Sequence, residues 1–296
     1  MSALMEPYVE SALRFEFRPL LRYLGSNPVI TLAALYLVAV VLVALLAPWL
    51  APHDPLYLEP TLRLRPASAE HLLGTDAFGR DLLSRLLYGA RISLAIGAGA
   101  ALLSVVLGLA IGLFAGYLRI VDAVVMRMVD GMMAVPGVLL AISIVSLVGA
   151  SVWTVMLAIT LPEVPRVVRL VRAMVLSARE EAYVEAAITL GTSTPRILWR
   201  HLMPNTFPPL IVQGSFVCAS AILTESVLSF LGAGINPATP TWGNIMADGR
   251  SFFRIMPELI FWPGLCVSLT ILSINLIGDA ARDALDPRLA KRVLAR

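Results

Sequence analysis

The sequence is poor in charge, in lysine and in cysteine. Only 15% of its 296 residues are charged while 58% are hydrophobic, and the mean hydropathy is +0.82. So apolar a composition excludes a disordered chain and an ordinary soluble domain. The net charge of +3 is too small to indicate a nucleic-acid partner. Cys218 and Cys266 lie in apolar stretches and offer neither a disulfide framework nor metal-ligand spacing.

Catalytic motifs are also missing. The chain has no G-x-x-x-x-G-K-[ST] phosphate loop, no G-x-S-x-G and no H-E-x-x-H. We therefore expect no catalytic residue and no ATP hydrolysis by this chain, so that any energy comes from another polypeptide or an ion gradient. His53 and His71 lack companion ligands at the spacing of a known metal-binding motif, and no metal site is expected.

Long uncharged runs dominate what is present. A helix of about 20 apolar residues crosses the roughly 30 Å hydrocarbon core of a membrane, and the runs predict an all-α membrane protein with six transmembrane helices. The predicted spans are residues 28–50, 92–118, 124–148, 151–172, 206–232 and 258–279. Around them we place a tail at 1–27, an extracytoplasmic segment at 51–91, a five-helix core at 92–281 and a tail at 282–296.

The cations are distributed unevenly between the two sides of this topology. With both termini inside, 16 of the 23 basic residues fall on the cytoplasmic side. Cytoplasmic loops of membrane proteins are enriched in arginine and lysine. The sequence therefore predicts that both termini are cytoplasmic.

The polar segment 177–205, between the fourth and fifth spans, carries signals for a helix–turn–helix. Ser177 and Glu180 form a capping box, and Gly191 suits the position just after a helix, which predicts a helix over 178–190. Pro195 starts a second helix that Pro204 is expected to end. An amphipathic helix that only lies on the membrane surface is the simpler interpretation.

Several polar residues occur within or beside the spans. Arg127 and Asp130 are three residues apart and predict an ion pair, with a gating role as the alternative, and Pro136 predicts a bend in the third span. Glu225, with Ser229 one turn further on, is an acid well inside a span. It would either hydrogen-bond between helices or line a translocation pathway.

The stretch before the second span, 71–94, is rich in charge and glycine. Asp76 stands between Gly74 and Gly79, and Asp81 and Arg85 are four apart on a predicted interfacial helix. The structural interpretation is a capped start of span 2. The functional one is that Asp76, Arg80 and Asp81 contact a substrate-delivering protein or the mouth of a pore.

The segment 177–205 also contains a sequence motif that resembles a known family. EAAITLG at 185–191, followed by nine residues and HLMP at 201–204, resembles the coupling loop of ABC-importer membrane subunits. Glu185, Ala186, Ala187, Gly191 and Pro204 match, whereas His201 and Met203 replace the usual Ile and Leu. Strings at 71–94, 126–136, 222–246 and 275–289 are similar to the C-type subunits of dipeptide, oligopeptide and nickel importers.

This resemblance implies a permease subunit in the cytoplasmic membrane of a bacterium or archaeon. It implies that Tyr183, Glu185, Ala186, Ala187, Gly191, His201 and Pro204 couple the chain to two ATPase subunits, which bind the ATP and Mg²⁺. A second homologous permease and an extracytoplasmic substrate-binding protein would complete the assembly. Di- or oligopeptides are the expected substrates, with nickel or glutathione as alternatives.

Two other classes of protein remain as competitors. An ion-coupled secondary transporter should show inverted repeats and several intramembrane acids, but only Glu225 has that character and no repeat is visible. A scaffold protein in the membrane would not need a cytoplasmic loop with such clear helix start and stop signals.

Overall fold

The computed structural model describes residues 27–285, and these form helices joined by turns and loops. The predicted tails 1–27 and 282–296 lie largely outside the described residues. The helices are α1 (Pro28–Leu50), α2 (Leu82–Tyr117), α3 (Arg119–Met133), α4 (Gly137–Val148), α5 (Val152–Ala178), α6 (Ala182–Thr189), α7 (Thr194–Ile197), α8 (Met203–Phe230), α9 (Trp242–Gly249) and α10 (Glu258–Leu285). A π-helical turn, Leu198–Leu202, joins α7 to α8.

Helix α1 has the bounds that the sequence predicts. Pro28 occupies its first turn, where the missing N–H costs nothing, although the side chain of Asn27 makes no capping bond. Most of its large apolar side chains are exposed. Such a surface suits contact with lipid, and the main helix contacts of α1 are with α2 and α10.

Helix α2 is the centre of the packing, and its longest contact is with α5. Gly108, Gly112 and Gly116 of α2 face Val167, Val171 and Val175 of α5 so closely that a Cβ on any of the three glycines would lie 2.4–2.7 Å from a valine Cβ. These glycines recur every fourth residue, on one face of the helix. Small residues in a membrane helix permit this close contact between helix backbones.

The predicted third span is broken rather than bent. α3 ends at Met133, α4 begins after Pro136, and their axes differ by 86°. Proline removes a backbone donor and disfavours helical conformation in the residue before it. The change of direction predicted at Pro136 is present, but it separates two helices and does not bend one continuous helix over 124–148.

Four helices of the described chain are long and apolar enough to cross a membrane. They are Pro28–Leu50, Leu82–Tyr117, Thr194–Phe230 and Glu258–Ala284, and the α3–α4 pair would make a fifth if it is one broken span. Helix α5, which was predicted as the fourth span, has the length but carries Glu163, Arg166 and Arg169 in its middle.

One short helix was not predicted. After the glycine- and proline-rich loop, Thr241 caps α9 by accepting a hydrogen bond at Oγ1 from the backbone N–H of Asn244, 3.0 Å away. Trp242 is buried and donates from Nε1 to the carbonyl of Leu86. Helix α9 is thereby packed against the start of α2, where it contributes to a polar cluster.

Candidate functional site

The first helix between α5 and α8 begins later than the sequence predicts. Helix α5 continues through Ser177 to Ala178, and α6 starts at Ala182 with Glu181 at its N-cap position and no side-chain cap. The prediction that Ser177 and Glu180 form a capping box is therefore wrong. Val175 and Ala178, on either side of Ser177, pack in the same apolar cluster, and this tertiary packing outweighs the local capping signal.

The C-terminal end of α6 is where it was expected. Gly191 has φ +76°, its N–H bonds to the carbonyl of Ile188 and the N–H of Thr192 bonds to the carbonyl of Ala187. This pair of bonds is a Schellman motif, which ends a helix with a residue in the left-handed region. A side chain at Gly191 would meet open space, so that its requirement for glycine is conformational.

The second helix starts at Thr194, as predicted, but does not end at Pro204. α7, the π-helical turn and α8 follow one another without a break from Thr194 to Phe230. Pro204 comes just after the π-helical turn, so that its missing N–H falls where the α-helical hydrogen-bond pattern is already interrupted. The expectation that Pro204 separates the loop from the next span is wrong.

One face of this segment is anchored in the core. Val184, Ile197, Leu198 and Leu202 are buried in the cluster that contains Leu113 of α2, together with Val171 and Val175 of α5. Their burial fixes α6 and α7 to the ends of two long helices. We call residues 182–205 the docking segment.

The opposite face of the docking segment is solvent-exposed. Tyr183, Glu185 and Ala186 point outward, and Ala187 is the buried member of the matched string. The Tyr183 hydroxyl accepts a hydrogen bond of 2.7 Å from Nδ2 of Asn205, which ties α6 to the start of α8. Partial burial raises the pKa of this phenol above its usual value. The Tyr183 and His201 rings lie 6.4 Å apart.

Glu225 is fully buried between helices α2 and α8. Its Oε2 accepts from the hydroxyl of Ser93 at 3.3 Å, and its Oε1 accepts from the hydroxyl of Ser229 at 3.0 Å. Both serines are buried as well. The arrangement supports the interpretation of Glu225 and Ser229 as helix-packing residues in this conformation.

A second buried acid was missed. Glu163 in α5 accepts a hydrogen bond from Ser220 of α8 at 3.1 Å and pairs with Arg166. In the sequence it stands close to three arginines and reads as part of a charged span end. A buried acid that is bonded to a neighbouring helix cannot be told from an exposed one by sequence spacing alone.

The predicted pair of Arg127 and Asp130 does not form. Both are exposed, and Asp130 instead pairs with Arg169 of α5, while Asp122 of α3 binds Arg172 through two bonds. The two cross-helix pairs fasten α3 alongside the charged half of α5. The spacing of three residues suggested a local pair, but the tertiary partners lie closer.

A buried ionic cluster lies at the beginning of α2. Asp76 is fully buried and accepts from Nε of Arg80 at 2.7 Å and from Arg85, while Asp248 of α9 accepts from Arg80 at 2.8 Å and from Arg85 at 2.9 Å. Neither α9 nor Asp248 was identified from the sequence. Two arginines and two aspartates thus join α2 to α9.

Asp81 does not pair with Arg85, which stands four residues after it. Its Oδ2 accepts from the backbone N–H of Ser84 at 2.7 Å, and this caps α2 ten residues before the predicted span. The structural interpretation, a capped start of the helix, agrees with this geometry. Asp76, Arg80 and Asp81 are buried, so that their predicted contact with a partner protein would act through the surface that they support.

The two regions lie at opposite ends of α2. The ionic cluster surrounds residues 80–85, whereas the docking segment packs near Leu113. At 1.5 Å per residue, these positions are about 45 Å apart along the helix, which is the thickness of a bilayer with its headgroups. The chain therefore presents different polar structures at its two ends.

The fold and both polar ends agree with a membrane subunit of an importer. Residues 104–291 match the family of binding-protein-dependent transport system inner membrane components. The match covers more than half of the chain, and the protein belongs to this family. It is thus an inner-membrane permease subunit of a bacterial ABC transporter, a class of subunit that is not itself catalytic.

Several relatives match over nearly their whole length. A probable peptide ABC transporter permease of Sinorhizobium fredii is 46% identical over 279 residues, 94% of this chain and 96% of the relative. A dipeptide transport system permease of Alkalihalophilus pseudofirmus is 39% identical (92% and 90% covered), and a glutathione transport system permease of Pectobacterium atrosepticum is 37% identical (95% and 94%).

A solved structure supports the fold. The inward-facing MetNI methionine ABC transporter contains a chain with a TM-score of 0.51 and 19% identity, and the likeness covers 71% of this chain and 96% of that one. At this identity the likeness concerns the fold alone. The helical core described above is thus an arrangement already known in an ABC transporter.

Proposed function

We propose that this chain is the half of an ATP-driven importer's pathway that carries di- and oligopeptides, and that the docking segment couples it to a cytoplasmic ATPase. The observation that carries the proposal is the two-sided docking segment. Val184, Ile197 and Leu202 anchor it in the core, while Tyr183, Glu185 and Ala186 remain exposed. A rigid, exposed platform can transmit a push from a partner to the helices that hold it.

The proposed assembly has four further components. They are a second homologous permease, two ATPase subunits that bind ATP and Mg²⁺, and an extracytoplasmic substrate-binding protein. Support comes from the family description, which ties such membrane components to a binding protein. The residues that match the family string, Glu185, Ala186, Ala187, Gly191 and Pro204, all belong to the docking segment, as does His201, which departs from that string.

We propose six spans with both termini in the cytoplasm. α5 would be the additional span, because Asp122, Asp130 and Ser220 offer partners to its arginines and to Glu163 within the protein. Charged groups inside a membrane are tolerated when they are paired and face other helices. The broken α3–α4 pair would form the third span.

Peptides are the substrates that the relatives support best. The relatives with 46% and 39% identity carry peptide and dipeptide names, while the glutathione permease, at 37%, favours glutathione as the second candidate. Glutathione is itself a tripeptide, so both candidates demand a pathway for a small zwitterionic or anionic peptide.

The coupling role is tested by substitution in the docking segment. Glu185→Ala and Gly191→Val should each lower the amount of ATPase that co-purifies with the tagged chain, the former by about tenfold if the contact is worth about 1.4 kcal/mol. Glu258→Ala removes an exposed acid at the start of α10, outside the docking segment, and should leave the recovery of the ATPase unchanged. Full ATPase recovery and full transport in both docking variants would overturn the proposal.

The substrate is tested on the cognate binding protein and on reconstituted transport. Dipeptides should raise the unfolding temperature of the binding protein and be taken up by proteoliposomes only in the presence of ATP. Replacement of the phosphate-loop lysine in the ATPase should abolish uptake. Uptake that follows a proton or sodium gradient in its place would favour a secondary transporter, and a response to glutathione or a nickel complex alone would reassign the substrate.

A further inference from the structure

Two histidines and a glutamate meet between the end of α1 and the start of α2. His53 follows α1, and Glu70 and His71 come from later in the same connecting segment. One potential ligand atom of each lies within 4.8 Å of the other two, and the two imidazole rings are 4.7 Å apart. Glu70 directly precedes His71 in the sequence, but only the folded segment brings His53 to this pair.

His71 is held in a defined orientation. Its Nδ1 lies 2.9 Å from Oδ1 of Asp81, whose other oxygen accepts two bonds of 2.7 Å from the backbone and side chain of Ser84. This leaves Nε2 of His71 as the nitrogen available to a ligand. A carboxylate behind a histidine is the usual support of a metal-binding imidazole, because it fixes the tautomer and the ring orientation.

His53 contributes a nitrogen without a hydrogen-bond partner. Within the described residues its Nδ1 is shielded from solvent yet makes no hydrogen bond, and Oδ1 of Asp81, 3.9 Å away, is too distant to serve. The backbone N–H of His53 donates to the hydroxyl of Ser84, which fixes the residue. His53 also lines an open cavity of about 850 Å³ beside Tyr88 and Arg91.

We propose that His53, Glu70 and His71 bind a divalent late transition-metal ion of the Zn²⁺ type, with Asp81 as the positioning residue behind His71. Two neutral imidazoles and one carboxylate suit Zn²⁺, whereas Mg²⁺ and Ca²⁺ prefer oxygen ligands throughout. Three protein ligands leave a fourth position for water or an arriving ligand. The bound ion would join the end of α1 to the capped start of α2.

The test uses the full chain, purified in detergent with the subunits that accompany it and with a tag that contains no histidine. After treatment with EDTA, addition of Zn²⁺ and desalting, zinc per chain is measured by mass spectrometry, and affinity is measured by competition with a chelator. We expect one additional zinc per chain in the wild type and at least tenfold weaker binding in Glu70→Gln and His53→Gln. Glu258→Gln, an exposed acid at the start of α10, should bind like the wild type.

Thermal unfolding gives a second measurement. A variant that folds but has lost the metal site should show no Zn²⁺-dependent rise in unfolding temperature. Zn²⁺ should raise the unfolding temperature of the wild type and of Glu258→Gln but not of Glu70→Gln, whose exposed side chain is unimportant for packing. Co²⁺ in the same site should give the visible absorption of a low-coordinate centre. Equal zinc content and equal thermal response in the wild type and Glu70→Gln would overturn the proposal, as would the absence of a Zn²⁺-dependent shift in the wild type.

Discussion

At the scale of single residues, the two arginines at the start of α2 decide which acids matter. Arg85 is fully buried, and its charge is balanced only by Asp76 and Asp248 among the described side chains. Removal of one partner from a buried pair leaves an uncompensated charge, which costs far more than the pair itself contributes.

Asp76→Asn should therefore lower the free energy of unfolding by about 3–5 kcal/mol, and Asp248→Asn by less because Asp248 is partly exposed. The measurement is thermal unfolding of the purified complex. Asp54→Asn is the matched control, since the amide oxygen can still accept the bond from the N–H of Leu56. Equal unfolding temperatures of Asp76→Asn and Asp54→Asn would show that the cluster is not balanced in this way.

Glu225 is the corresponding residue inside the helix bundle. Glu225→Ala leaves the hydroxyls of Ser93 and Ser229 without their acceptor and opens a void, for an expected loss of about 2–4 kcal/mol. Glu225→Gln keeps one acceptor oxygen and should lose about 1 kcal/mol.

Transport assays on the same Glu225 variants distinguish the two roles left open by the sequence. A packing role predicts weaker assembly with normal uptake per assembled complex. A pathway role predicts that uptake falls in Glu225→Gln even where assembly and unfolding temperature are retained.

At the scale of elements, the contact between α2 and α5 depends on glycine. In Gly112→Ala the new Cβ would lie 2.7 Å from Cβ of Val171 and 3.0 Å from a backbone oxygen, so the helices must separate. We expect a destabilisation of about 1–3 kcal/mol. Gly131→Ala in α3 meets nothing within 4 Å and should stabilise its helix by up to about 1 kcal/mol. Comparison of the two melting curves decides the matter, and a neutral Gly112→Ala would contradict this packing.

The helix ends show what local sequence can and cannot predict. The first helix was predicted correctly because Pro28 begins an uninterrupted apolar run, and Gly191 was recognised because a left-handed helix end favours glycine. Pro204 misled because the π-helical turn before it lets the helix continue past a proline, and no residue pattern in the sequence marks that turn. Helix α9 lacks the length and apolar character that identify a span.

In the candidate site, too, some residues could be predicted from the local sequence and others could not. The exposed string at 185–191 could be recognised from its residues, because its chemistry is local to one helix. The partners of Asp130, Arg85 and His71 could not, since Arg169, Asp248 and His53 reach them only through the tertiary fold. Sequence spacing detects neighbours on one helix but is silent about neighbours on another.

At the scale of the whole molecule, the proposed topology assigns each end of α2 to one side of the membrane. In a Cys218→Ser, Cys266→Ser background, the thiol of Tyr57→Cys should react with an impermeant maleimide applied to spheroplasts. The thiol of Ser193→Cys should react only after permeabilisation, since both positions are exposed on the protein but at opposite ends. The reverse labelling pattern would invert the topology and place the docking segment outside the cell.

The unbroken helix from Thr194 to Phe230 has a geometric consequence for the way a signal could travel. Because no loop intervenes, the number of residues between His201 and Glu225 sets the angular phase between the docking segment and the buried carboxylate. One inserted residue would turn Glu225 by about 100° relative to His201, whereas seven would restore the phase to within about 20°. The number of residues in this stretch therefore sets the direction in which Glu225 points for a given orientation of the docking segment.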